Sequence, residues 1–222
     1  MYPAVNPQRP CIIGIGGLTS NVGKTTLVCD LLKFLPGWEA IKTTRGHYRS
    51  CGKDPHTCCV SDLLETEAVI RSGRELTYSP GKDTGRYWDA GAANVHWVIA
   101  TDEQLSAGIR KAVDRVKASG VIIEGNSFTE YVRPDFFIMV ARADDLKSKT
   151  TARRALSNVS AYYFSGEIEP GVEKDLQLAL RRLDPAQTRC NLPVFTERRL
   201  VELGALLRDL NAEKPSIIAG TP

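Results

Sequence analysis

A short apolar run, Cys11 to Gly16, leads straight into GGLTSNVGKTT and from there into the helical pattern VCDLLKFL. Strand, glycine-rich turn, Gly-Lys-Thr and helix in that order suit few folds, because the helix must pack back on its own strand. Backbone N–H groups in such a turn form an anion-sized nest. The helix adds free N–H groups and a partial positive charge. This chemistry suits nucleotide phosphates. Lys24 would neutralise the β- and γ-phosphates, and the Thr25 hydroxyl would take one place around Mg²⁺, which keeps most of its waters. Gly17, Thr19, Ser20, Asn21, Val22, Gly23, Lys24, Thr25 and Thr26 are the candidate contacts. The common spacing G-x-x-x-x-G-K-[ST] wants glycine where this chain has Leu18; counted from Gly17, five residues intervene instead of four. The alternative is a turn that only packs a helix against a strand.

The rest of the chain alternates strand and helix. Strands are expected over residues 11–16, 38–43, 94–100, 120–124, 135–141, 159–164 and 192–196. Runs such as VIIE and FFIMVA are continuously apolar, as in strands covered on both faces. A helix is expected from Thr101, with Thr101 and Gln104 as a capping box and Leu105, Ile109, Ala112, Val113 and Val116 as its buried stripe. A last helix from Thr196 carries Leu200, Leu203, Leu207 and Leu210 on one face. This is the pattern of an α/β, doubly wound, mostly parallel sheet with helices on both faces, whose ligands collect beyond the C-terminal strand ends. One domain over residues 11–211 is expected, between a loose arm (1–10) and a tail (212–222). Residues 44–80 read as an irregular, cysteine-containing insert, with a weak helical pattern near 61–72.

The bulk numbers exclude some classes. The 222 residues carry a net charge of +3, too small to argue for nucleic acid or a membrane surface. No apolar run approaches the roughly 18 residues a membrane span needs. MYPAVNPQRP has three prolines and no hydrophobic segment, so neither signal nor transit peptide is expected. A cytoplasmic location with reduced thiols follows as the expectation. Cys11 and Cys29 read as small buried apolar residues.

Polar residues at strand ends supply the remaining chemistry. VIIE ends in Glu124-Gly125, the Walker B pattern, in which the carboxylate holds Mg²⁺ or positions the attacking nucleophile. Lys24 and Glu124 are therefore the catalytic candidates, and the alternative for Glu124 is a carboxylate capping the next turn. EAIKTT places Lys42 at a cationic strand end suited to an anion, or to a solvated edge. PGKDTGRYWDAGA offers Asp83 for the Mg²⁺ sphere and Lys82 and Arg86 for a substrate. Arg142 and Asp144 follow FFIMV, where Asp144 would read guanine under the Arg142 stem. Cys51, His56, Cys58 and Cys59 have zinc-binding chemistry at a spacing that matches no finger or ribbon; a redox pair and a substrate contact remain open.

The phosphate loop, Lys42, PGKDTGRYWDAGA and VIIEG stand in the order found in the molybdopterin-guanine dinucleotide biosynthesis protein B family, which the chain resembles over residues 11–142. The resemblance implies a P-loop NTPase fold, GTP and Mg²⁺ binding, a homodimer, and a supporting role beside a partner enzyme that attaches a guanosine nucleotide to molybdopterin. It also implies weak hydrolysis, with Lys24, Thr25 and Glu124 as nucleotide and metal residues and Lys82 and Asp83 in the same cleft. The cysteine cluster stands where that family has histidines, and residues 145–222 form a longer C-terminal part. A looser resemblance is to dethiobiotin synthetase, which shares the five-residue gap, the lysine after the second strand and Glu-Gly. It implies an ATP-dependent ligase or kinase in which Lys42 and Lys82 hold an anionic substrate. A third reading is a metal-handling module built on the Cys51–Cys59 segment.

Overall fold

The computed structural model describes residues 9–46, 63–166 and 192–213. Cys51, His56, Cys58 and Cys59 lie outside the described residues. An eight-stranded sheet organises the rest, in the order β3-β4-β2-β5-β1-β6-β7-β8. The strands are β1 (Cys11–Gly17), β2 (Glu39–Arg45), β3 (Val69–Ser72), β4 (Val95–Ala100), β5 (Gly120–Glu124), β6 (Phe136–Arg142), β7 (Ala161–Ser165) and β8 (Val194–Thr196). All pairings are parallel except β3 with β4. The helices are α1 (Lys24–Phe34), α2 (Arg74–Thr77), α3 (Asp83–Asp89), α4 (Leu105–Asp114), α5 (Thr150–Ala155) and α6 (Leu200–Ala212).

Strand β1 shows how the sequence fills both faces. Cys11, Ile13 and Ile15 point to one face, where α1 and α6 supply Leu27, Leu31, Leu203 and Leu207. Ile12 and Leu18 point to the other, packed with Leu105 and Ile109 of α4 and Ala152 and Ala155 of α5. Gly14 and Gly16 share that second face because no side chain fits: a Cβ at Gly14 would lie 2.4 Å from Phe137, and one at Gly16 2.5 Å from both Phe137 and the Asn126 oxygen. Cys11 and Cys29 are free thiols in the core. Burial pushes the Cys29 thiol up to about 11. Among the described residues no helix is long and apolar enough to cross a membrane.

Three local expectations are corrected. The weak helical pattern near 61–72 gives way at its end to β3, a four-residue antiparallel edge strand. Helix α4 begins at Leu105, not Thr101. The Thr101 N–H does donate to Gln104 Oε1 at 3.0 Å, but the Thr101 hydroxyl is buried without a partner, so the box is half made. At the C-terminal end a 3₁₀ turn, Glu197–Arg199, stands between β8 and α6. Arg9, within the expected arm, is docked by two bonds to Asp135, at 2.7 and 3.1 Å.

Candidate functional site

Beyond Gly17 the chain stays extended for one more residue. The Leu18 N–H donates to Val140 O at 3.0 Å, continuing the β1–β6 ladder, and the Leu18 side chain is fully buried. The loop then turns through Asn21 (φ 59°) and Gly23 (φ 87°). Gly23 is the residue before α1, and its left-handed backbone is the conformation glycine adopts without strain. No side chain caps α1 and no acidic residue occupies its first turn. A helix start normally draws an Asp, Ser or Thr cap or an acid. Here it has Lys24 instead, which leaves the amide donors and the positive end of the helix to an external anion.

Neighbouring strand ends fix the loop. Asn126, two residues past β5, accepts from the Gly17 N–H at 2.8 Å and donates to Gly17 O at 3.0 Å. Ser165, the last residue of β7, donates to Val22 O at 2.7 Å. The Lys149 N–H, just before α5, donates to Leu18 O at 3.0 Å.

Glu124 sits at the centre of the polar network and is 3% exposed. Its Oε2 accepts from Thr25 Oγ1 at 3.0 Å and from the Tyr87 hydroxyl, and its Oε1 from Lys42 Nζ at 2.7 Å. Lys42 reaches Asp83 Oδ2 as well, at 2.6 Å. Register explains the convergence, since Glu124 stands opposite Lys42 on one side and Ile15 on the other. Burial works against the Lys42 charge, but Glu124 and Asp83 outweigh it and raise its pKa above the ordinary lysine value. Burial likewise opposes ionisation of Asp83, and Lys42, Thr25 and Arg86 overcome it, leaving the carboxyl below its usual range. Tyr87 is fully enclosed; burial and then Glu124 push its pKa well up, so it stays a neutral donor. Lys24 behaves differently. Desolvation lowers its pKa, and Glu124 only partly offsets that.

These groups line a cavity of about 390 Å³ bounded by Ser20, Asn21, Gly23, Lys24, Thr25, Thr26, Lys42, Asp83, Arg86 and Glu124. Arg86 Nη2 donates to Thr26 Oγ1 at 3.2 Å and closes one rim. The structure thus brings Ser20, Asn21, Gly23, Lys24, Thr25 and Thr26 of the loop together with Lys42, Asp83 and Glu124, whereas the loop candidates Gly17, Thr19 and Val22 do not line the cavity. Lys82 is exposed and Asp144 pairs with Arg142 at 2.7 and 2.9 Å, also exposed; neither lines the cavity. Tyr87, Asn126, Lys149 and Ser165 were not among the candidates. Only Tyr87 and Asn126 carried a signal, one lying in the PGKDTGRYWDAGA motif and the other directly after Glu-Gly.

The carboxylate oxygens of Glu124 and Asp83 and the Thr25 hydroxyl form an oxygen donor set of the type Mg²⁺ takes. Among the described residues no cluster of three or more His, Cys, Asp or Glu is present that would form an all-protein metal cage. A site with two carboxylates leaves the remaining positions to water and phosphate, which fits Mg²⁺.

No family model and no curated protein matches the sequence. Solved structures do match in fold. HypB from Helicobacter pylori, in complex with nickel, superposes with a TM-score of 0.54 at 13% identity, over 95% of this chain and 91% of that one. LpxK from Aquifex aeolicus, in complex with ATP, gives a TM-score of 0.47 at 16% identity, over 85% of this chain and 54% of that one. The second likeness is too low to carry argument, and the first speaks to architecture alone. Sheet order, the loop after β1 and the likeness to HypB together establish that the chain has the P-loop NTPase fold.

Proposed function

We propose that this chain binds a nucleoside triphosphate with Mg²⁺ at the loop after β1 and hydrolyses it slowly. The observation that carries this reading is the start of α1: an uncapped helix end, without an acid in its first turn, that presents to a polar cavity a Lys24 with no ion-pair partner among the described residues. Loop amides and Lys24 would hold the phosphates, and Thr25, Glu124 and Asp83 would hold the metal. Mg²⁺ supplies charge neutralisation at the transferring phosphate. The chain's own part is to orient the phosphates, fix Thr25 and Glu124 by the bonds described above, and keep Tyr87 protonated beside Glu124.

The finer reading is an accessory GTPase in molybdopterin-guanine dinucleotide or related cofactor assembly, acting as a homodimer beside a partner enzyme. Two observations favour it over the ATP-dependent ligase. Lys42 is already committed to Glu124 and Asp83, and Lys82 lies outside the cavity, so neither stands ready for an acidic substrate. Guanine reading by Asp144 would require its pairing with Arg142 to open.

The test is a thermal-shift panel of ATP, GTP and their diphosphates with Mg²⁺, on the wild type and on Lys24→Ala. A ligand at about 100 times its Kd stabilises by roughly 2.7 kcal/mol. The wild type is expected to shift with a triphosphate and Lys24→Ala to lose the shift. Equal behaviour of the two proteins refutes the assignment.

A further inference from the structure

Helix α3 packs against α1, and its polar side chains meet the phosphate loop there. Asp83 and Tyr87 are spent inside the protein, Asp83 on Lys42 at 2.6 Å and Tyr87 on Glu124. Arg86 is not. Its guanidinium is half-buried in the wall of the cavity, and Nη2 donates to Thr26 Oγ1 at 3.2 Å. Among the described residues this bond to a neutral hydroxyl is the one hydrogen bond or ion pair its side chain makes. The backbone beneath it is fixed, since Arg86 O accepts from the Ala90 N–H at 2.9 Å and from Cys29 Sγ of α1 at 3.5 Å. The carboxylates one helical turn off are engaged elsewhere: Asp83, before Arg86 on α3, with Lys42, and Asp30, beyond Thr26 on α1, with Lys33 at 2.9 Å. Arg86 feels the Asp83 charge, but the two form no ion pair. The arginine fork therefore reaches the cavity with most of its N–H donors unspent.

We propose that Arg86 is a phosphate-contacting residue of the nucleotide site, whose guanidinium fork closes on the phosphate chain from α3 while the loop amides and Lys24 hold it from α1. This rests on the nucleotide reading above and deepens it by adding a cation from outside the phosphate loop. A planar guanidinium matches two oxygens of one phosphate group, and such charge-assisted bonds are stronger than the neutral one it now makes. Thr26 belongs to the first turn of α1, the end of the helix whose free N–H groups attract anions. Its bond to Arg86 aims the fork at that same place, so phosphate rather than the base is the partner.

The experiment measures Kd for ATP, GTP and inorganic tripolyphosphate, each with Mg²⁺, on the wild type, Arg86→Gln and Arg86→Lys, together with the urea midpoints of the ligand-free proteins. Arg86→Gln is expected to weaken both tripolyphosphate and the nucleotide that the wild type binds by about tenfold, the scale of one charge-assisted contact, with its urea midpoint unchanged. Arg86→Lys recovers part of the loss, because it restores the charge but not the fork. Wild-type Kd values in Arg86→Gln overturn this inference and leave nucleotide binding intact. So does a loss confined to the nucleotide, which would place Arg86 on the base or ribose, and so does a loss that comes with a lowered urea midpoint, which would make it a packing residue. A wild type that binds the nucleotide but not tripolyphosphate overturns it too, since the base then carries the affinity. A wild type that binds none of the three overturns the proposed function, and this inference with it.

Discussion

At the scale of single residues, the site is governed by one buried carboxylate and the donors that satisfy it. Glu124 is held by Lys42, Thr25 and Tyr87, and these three are not equivalent. Lys42 supplies a full positive charge at 17% side-chain exposure, so Lys42→Met leaves Glu124 buried without its counter-charge. Removing one partner of such a pair costs about 3 kcal/mol or more. Tyr87→Phe removes one neutral donor and keeps the ring in place, with an expected cost of about 1–2 kcal/mol. Urea unfolding of the two variants without nucleotide is therefore expected to rank Lys42→Met well below Tyr87→Phe. The reverse order would mean that Glu124 is held chiefly by the phenol.

At the scale of elements, much of the frame was legible because buried parallel strands are apolar throughout. VIIE and FFIMVA each reached the sheet within a residue of the expected bounds. Strand β3 was not legible, since VIRS is short, half-buried and paired only along one edge, which leaves no period to read. Leu18 looked like a departure from the phosphate-loop spacing. The structure gives its reason: the residue is still on the β1–β6 ladder, so it needs an apolar side chain for the core and no glycine turn. The clamp on the loop was illegible for a different reason. Asn126, Lys149 and Ser165 reach it from three separate places, just past β5, just before α5 and at the end of β7, and apart from the Glu-Gly before Asn126 nothing local in their sequence marks them. Asn126 is the strongest of the three, with two bonds to Gly17. In Asn126→Ala the buried Gly17 N–H loses its acceptor, which costs about 1–3 kcal/mol. Triphosphate affinity is expected to fall as well, because the loop is then held at fewer points. A calorimetric titration that returned wild-type affinity for a destabilised Asn126→Ala protein would show that the clamp serves folding only.

At the scale of the whole molecule, the sheet places two polar networks at opposite ends of β2. Lys42 faces the site, whereas Glu39 opens the strand and is 3% exposed. Its carboxylate bonds His96 Nε2 at 2.7 Å and accepts the Lys117 and Ala118 N–H groups at 2.8 and 3.0 Å. The His96 ring in turn bonds Ser72 Oγ at 2.8 Å, so one acid links β2, β4, the edge strand β3 and the entry to β5. Burial alone would raise the Glu39 pKa; the bond to His96 and the two backbone donors outweigh it and bring it below its ordinary 4.5. The native state therefore binds fewer protons than the unfolded chain as the pH drops below 4.5. The stabilisation is complete above that value and is lost as the pH falls through the native pKa of Glu39. Asp83 adds the same sign below its own ordinary 3.8, where Lys42 holds it ionised. One proton of difference is a slope of about 1.4 kcal/mol per pH unit. Glu39→Gln removes the Glu39 share, so its urea midpoint is expected to fall less steeply than that of the wild type between about pH 5 and pH 3. Nucleotide binding near neutral pH should be unchanged in that variant, because Glu39 lies at the far end of the strand from the phosphate loop. An unaltered acid slope would place the titrating groups elsewhere, and lost nucleotide binding would mean that the two ends of β2 are coupled through the sheet.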